Sequence, residues 1–155
     1  MRYLGLDLGS KTLGVSISDR TGLIANAYEV IRFSENDYDS ALPRLKEIVE
    51  AEQVDKIVLG LPKHMNNDFG EKASIATEFG KKISDFLKIE VIMQDERRTT
   101  IEATNYMLEA NVSRKKRKQK IDSLAANIIL QTYLDRKRNE KWMKEWLLKQ
   151  LMTKE

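Results

Sequence analysis

The sequence predicts an α/β domain built on a mixed sheet with helices on both faces. Two observations carry that expectation. Apolar residues alternate with period two through the first third of the chain, as in strands that follow one another in a meander. Beyond residue 42, short apolar runs take turns with stripes of helical period, as in crossover units.

The elements follow in order. Arg2–Leu8 is the first strand, with Leu4, Leu6 and Leu8 on one face and Tyr3, Gly5 and Asp7 on the other. Gly9 and Ser10 signal a turn, and Leu13, Val15 and Ile17 resume the alternation, which predicts a hairpin. A third strand is expected over Leu23–Ile31, after the turn at Thr21 and Gly22. Leu42, Leu45, Ile48 and Val49 then take helical spacing, with Pro43 tolerated in a first turn. "KIVLG", Lys56–Gly60, suits a strand buried on both faces. A loop with Pro62, Asn66, Asn67 and Gly70 leads to a helix striped by Ala76, Phe79, Gly80, Ile83 and Leu87. Glu90–Met93 is the last strand, ended by "QDERRTT". Thr99 with Glu102 resembles a capping box that opens a third helix, and a long helix is expected from near Ile121.

Composition narrows the class. The 155 residues suit one domain, and 41% hydrophobic residues suffice for a core. There is no cysteine, so disulfide frameworks and thiolate zinc sites are excluded, which fits a reducing cytoplasmic setting. Charge recurs every few residues, so neither a signal peptide nor a membrane span is read. The net charge of +3 hides a local effect: "RKKRKQK" holds Arg114, Lys115, Lys116, Arg117, Lys118 and Lys120, and without it 21 basic residues face 24 acids. The chain is mildly acidic with one strongly basic segment, which can meet a polyanion. A solvated loop is the plainer reading of that run.

Three acids do not fit their surroundings. Asp7 interrupts an apolar strand, where a carboxylate is disfavoured and costly to bury alone. By itself it reads as an edge-strand residue facing water, or as the partner of a lysine in an ion pair. Asp95 and Glu96 follow the last strand, where open sheets gather functional groups. Asp122 heads a helical face that is otherwise apolar, with Ala125, Ala126, Ile129, Leu130 and Tyr133. Its competing reading is a helix-capping or dipole-pairing carboxylate. The small Ala125 and Ala126 would let this helix lie close to the sheet. Convergent carboxylates repel one another unless a cation sits among them, and oxygen ligands suit Mg²⁺ or Mn²⁺. Two such ions ~3.5–4 Å apart can activate a water and stabilise the leaving oxygen of a phosphodiester.

Four motifs, "LGLDLGSKTLGVSISD", "LGLPKHMNNDFGEKA", "DERRTT" and "KIDSLAANIILQTYL", occur in this order. Together they resemble the YqgF/RuvX family of the RNase H-like, RuvC-type nuclease superfamily over residues 1–136. The resemblance implies an RNase H-like α/β fold, a five-stranded mixed sheet of three antiparallel strands then crossover strands, flanked by helices. It implies a catalytic, two-metal Mg²⁺ or Mn²⁺ site on Asp7, Glu96 and Asp122, with Asp95 the secondary candidate for the middle ligand. The family was first described as a Holliday junction resolvase candidate. It is now generally assigned to 5′-end maturation of the 16S ribosomal RNA precursor. The expected function is therefore a metal-dependent endonuclease on pre-ribosomal RNA, with four-way branched DNA as the alternative substrate. One departure is the loop "HMNNDFGEK", where the family usually has a glycine near Asn67 or Asp68.

Nucleic-acid contact is expected from Lys11, Arg97, Arg98 and the six basic residues of 114–120; bidentate phosphate binding would suit the arginines. Gly5 and Gly9 are expected to leave room around Asp7. His64, the one histidine, reads as a loop residue, and Thr99 and Thr100 as helix-starting residues rather than nucleophiles. Residues 137–155 extend the same domain as a helix carrying Trp142 and Trp146. Docking on its own domain is the favoured reading of that helix. A homodimer or ribosomal-partner contact is the sharper one. Two further classes compete. An actin or sugar-kinase type ATPase shares a phosphate loop like "DLGSKTLGV" but needs two such domains. A nucleic-acid-binding module without catalysis would leave the acids idle.

Overall fold

The computed structural model describes residues 1–62, 69–95 and 114–153. Five strands form one mixed sheet in the order β3-β2-β1-β4-β5. β1 (Tyr3–Leu8), β2 (Thr12–Ser18) and β3 (Ala25–Arg32) are antiparallel neighbours. β4 (Lys56–Leu61) joins β1 in parallel and β5 (Glu90–Asp95) joins β4 in parallel. A 3₁₀ turn at Tyr38–Ala41 leads into α1 (Leu42–Ala51), with Pro43 in its first turn; α2 (Phe69–Leu87) is the second crossover helix. The last helix, α3, runs unbroken from Arg114 to Met152.

The period-two alternation divides the side chains between two cores. Leu4, Leu6, Leu13, Val15, Ile31, Ile57 and Leu59 face α1 and α2, where Leu45, Ile48, Phe79 and Ile83 meet them. Tyr3, Ala25 and Val58 face the other way and pack against Ile129, Leu130, Tyr133 and Leu134 of α3. The edge rings of Tyr3 and Tyr133 meet at 5.7 Å between centroids. Gln131 fastens α3 to β3 by accepting from the Ala25 amide at 2.8 Å and donating to the Leu23 carbonyl at 3.0 Å.

Several boundaries differ from expectation. β3 starts at Ala25 rather than Leu23, because the Asp19 carboxylate accepts from the amides of Leu23 (2.9 Å) and Ile24 (3.2 Å) and holds both in a turn. Gly22 has φ +73° in that turn, a conformation glycine adopts without strain. Gly70 belongs to α2, not to the preceding loop. α3 begins by Arg114 instead of near Ile121, so the basic run forms helical turns and not a loop. Lysine and arginine are good helix formers, and a charge run simply lacks the apolar stripe by which helices are read. The tail helix is not docked on its own domain either: Trp142 is 59% and Trp146 45% exposed.

Candidate functional site

Asp7 stands near the carboxyl end of β1, the middle strand of the sheet, and is half-buried. The edge-strand reading of this aspartate is thereby excluded. It lies on the α3 face, with Tyr3 and Gly5. β1 pairs Asp7 with Gly14 of β2, and Gly14 pairs with Val30 of β3. On the other side Leu6 pairs with Leu59, and Gly60 pairs with Gln94. The row through Asp7 thus reads Val30, Gly14, Asp7, Gly60, Gln94. Both strand neighbours of the carboxylate are glycines. Sequence reading missed them, because glycine inside an apolar strand carries no sign of what lies beside it.

The glycines expected to leave room do something else. A Cβ on Gly5 would lie 2.5 Å from Ser16 Oγ and 2.6 Å from Leu130 Cβ, so this glycine admits the α3 helix and not an ion. Ser16 Oγ donates to the Ala126 carbonyl at 2.9 Å across the same close approach. Gly9 sits in the hairpin turn, its amide donating to the Thr12 carbonyl at 2.8 Å. That turn is fixed further by Phe33 N–H to Lys11 C=O (3.0 Å) and Asn36 N–H to Ser10 C=O (2.8 Å). Lys11 is exposed on it, four residues after Asp7.

α3 runs antiparallel to β1 across this face. Tyr133 lies at Tyr3, and Leu130 and Ala126 lie at Gly5. Two further residues along β1, about 6.6 Å, lead to Asp7. Four residues back along α3, about 6 Å, lead to the helix position of Asp122. Asp122 is eight positions inside the helix, beyond the first turn where a carboxylate caps or pairs with the dipole. Burial, above all, pushes the Tyr133 phenol up, in the apolar core that anchors this helix.

Alternation separates the acids after β5. Val91 and Met93 pack with the α1/α2 core and Ile92 with the α3 core. Gln94 therefore shares the face of Asp7, whereas Asp95 belongs to the opposite face and is exposed. Gln94 is 4% exposed, and its Oε1 has no hydrogen-bond partner among the described residues. Glu96, Arg97, Arg98, Thr99, Thr100 and His64 lie outside the described residues, as do the side chains of Asp122 and of Arg114–Lys120. Among the described residues no three acidic or imidazole groups gather as a metal cluster. No described helix is long and apolar enough to cross a membrane.

The architecture is that of the RuvC-like, RNase H-fold nucleases. A Thermus thermophilus RuvC solved with a Holliday junction substrate superposes with a TM-score of 0.56 at 15% identity, covering 89% of this chain and 96% of that one. Uncomplexed Thermus thermophilus RuvC gives 0.54 at 13% identity, covering 90% and 97%. At that identity the likeness speaks for the fold. The family is given by sequence: the model of the RuvX family, described as a Holliday junction resolvase, matches residues 1–136, and the chain belongs to it. A Streptococcus uberis relative named "Putative pre-16S rRNA nuclease" is 50% identical over 137 residues, 88% of this chain and 99% of its own. A Bacillus cereus relative of the same name is 46% identical over 137 residues, 88% of this chain and all of its own.

Proposed function

We propose that the protein is a divalent-metal-dependent endonuclease that hydrolyses phosphodiester bonds in 5′-end maturation of the 16S ribosomal RNA precursor. The observation that carries this reading is Asp7: a carboxylate on the middle strand of an RNase H-type sheet, flanked by Gly14 and Gly60, at the level of the α3 turn bearing Asp122. The names of the relatives, at up to 50% identity, supply the RNA substrate.

The donor chemistry fits a hard cation. A carboxylate oxygen at Asp7 and, at Gln94, an amide oxygen without a partner among the described residues share one face, and the chain has no cysteine. We assign Mg²⁺ or Mn²⁺ to Asp7, Glu96 and Asp122. Asp95 is the weaker choice for the middle ligand, because it belongs to the face away from Asp7. When bound, a pair of such ions supplies an activated water and offsets charge at the leaving oxygen. The chain's own part is positional. The β1 strand, buried on both faces, fixes the Asp7 backbone, and α3 is held against the sheet beside it by the hydrogen bond from Ser16 of β2 to Ala126. Lys11 on the hairpin turn, Arg97, Arg98 and the basic residues 114–120 would bind the phosphate backbone and orient the scissile bond. The exposed Trp142 and Trp146 would meet a ribosomal partner.

The test pairs two substrates, a precursor 16S 5′ fragment and a four-way DNA junction, with Mn²⁺ or Mg²⁺ and the full chain. Cleavage of the RNA is expected, and Asp7→Asn should lower it at least on the order of 100-fold. The resolvase reading is favoured by the family model's own description. Cleavage confined to the junction would replace the RNA reading with that one, and unchanged cleavage by Asp7→Asn would remove the proposed site.

A further inference from the structure

We propose that Gln94 is a positioning residue of this site, its Oε1 accepting a hydrogen bond from a water in the hydration shell of the cation that Asp7 helps to hold. The inference rests on the metal-dependent reading above. Three observations lead to it. Gln94 is 4% exposed and its Oε1 has no hydrogen-bond partner among the described residues. Buried amide oxygens are almost always satisfied, so one without a partner among the described residues points to a donor beyond them, and a metal-bound water is such a donor. Next, Gln94 occupies the row and face of Asp7, with only Gly60 between them in the sheet, so no side chain of β4 separates the two. Last, the described core on that face, away from Asp7, is apolar: Ile92 two residues before it on β5, with Val58 and Ile129. A leucine or methionine would suit such packing without leaving an oxygen unpaired.

Distance decides how Gln94 takes part. Two oxygens on one Mg²⁺ are at most about 4 Å apart, whereas a water between ion and acceptor lengthens the reach to as much as about 7 Å. Asp7 and Gln94 are two strand spacings apart, about 10 Å between backbones. The side chains can shorten that across Gly60, and the longer reach of the water-mediated arrangement is the one that asks least of them. It also matches the ion, since Mg²⁺ keeps several of its waters and each is a donor in want of an acceptor.

The experiment measures thermal unfolding of the full chain in EDTA and through a Mn²⁺ titration, for wild type, Gln94→Leu, Gln94→Met and Asp7→Asn. Both Gln94 variants should melt about 2–4 °C higher in EDTA, because the unpaired oxygen is gone. They should need roughly tenfold more Mn²⁺ for half of the metal-induced rise. The methionine variant keeps the length of the side chain, so a packing defect confined to leucine is recognised. If Mn²⁺ half-saturation is unchanged in both variants while Asp7→Asn loses the response, the role of Gln94 is overturned and the site stands. A drop in melting temperature for both variants in EDTA would also overturn it, since the oxygen would then have a partner in the bare chain. If Asp7→Asn keeps the full Mn²⁺ response, the site itself is wrong and this inference goes with it.

Discussion

A methyl group at Gly5 would meet Ser16 Oγ, Leu130 Cβ and, at 3.1 Å, the Ala126 carbonyl, two of which are parts of a helix that cannot retreat without opening the Tyr3–Tyr133 contact. Gly5→Ala should therefore cost about 1–3 kcal/mol, read as a lowered urea midpoint with little change in slope. If stability is unaffected, the close approach of α3 to β1 is not as described. The same residues show what a sequence can reveal at this scale. Asp7 was legible because a charge breaks an apolar alternation. Gly5 was legible as a special position but not for its reason, since its partners lie at the far end of the chain. Gln94 was not legible at all: a polar residue at a strand end resembles the start of a loop, and only its burial and its unpaired oxygen set it apart.

Between elements, the edge strand β3 is held to α1 by a two-pronged ion pair. Arg44 Nη2 lies 2.6 Å from Glu29 Oε1, and Arg44 Nε donates to Glu29 Oε2 at 2.9 Å. That hydrogen-bonded guanidinium holds the Glu29 carboxyl below its ordinary value, against the opposing effect of partial burial. A carboxylate with a depressed folded pKa contributes stability above its unfolded pKa and loses it as pH falls through the folded one. Wild type should thus exceed Arg44→Leu in stability at pH 7, and the gap should begin to narrow as pH falls past the ordinary glutamate value of about 4.3 and go on narrowing toward the lower folded one. Both side chains are partly exposed, so the gap is modest and shrinks with salt. Urea midpoints at pH 7 and pH 3 check it; a gap that does not narrow at pH 3 would assign the effect to packing of the arginine stem. The first two strands and the first two helices were legible here by the period of their apolar residues, and β4 by its continuous buried run. The start of α3 was not, since residues 114–120 carry charge without a stripe.

At the scale of the molecule, α3 divides into two lengths of different kind. From Ala125 to Leu134 it supplies one of the two cores; from Arg136 onward its side chains are exposed. Its ion pairs there, Arg138–Asp135 at 3.2 Å and Arg136–Glu140 at 3.9 Å, are internal to the helix. The family match ends at residue 136. Truncation after Lys137 should therefore leave the melting temperature within about 2 °C, because it removes no core contact. A fall of 10 °C would mean that the tail packs on the domain after all. The two-core sheet was foreseeable from pattern alone, as was the amphipathic tail. Whether that tail folds back was not, because a stripe of tryptophan and leucine says that something should cover it without saying what.

The unbroken run of α3 has a mechanical consequence. Spanning 39 residues, it is about 58 Å of continuous shaft, clamped to the sheet along its middle and free at its end. Trp142 and Trp146, four residues apart, point the same way off that shaft. Their bearing relative to the sheet is set by residue count and by no contact. Each residue inserted between Leu134 and Trp142 would turn both rings by about 100° and carry them about 1.5 Å outward, leaving the domain untouched. The tail is in effect a screw thread, and the direction it presents to any neighbour is tuned one residue at a time.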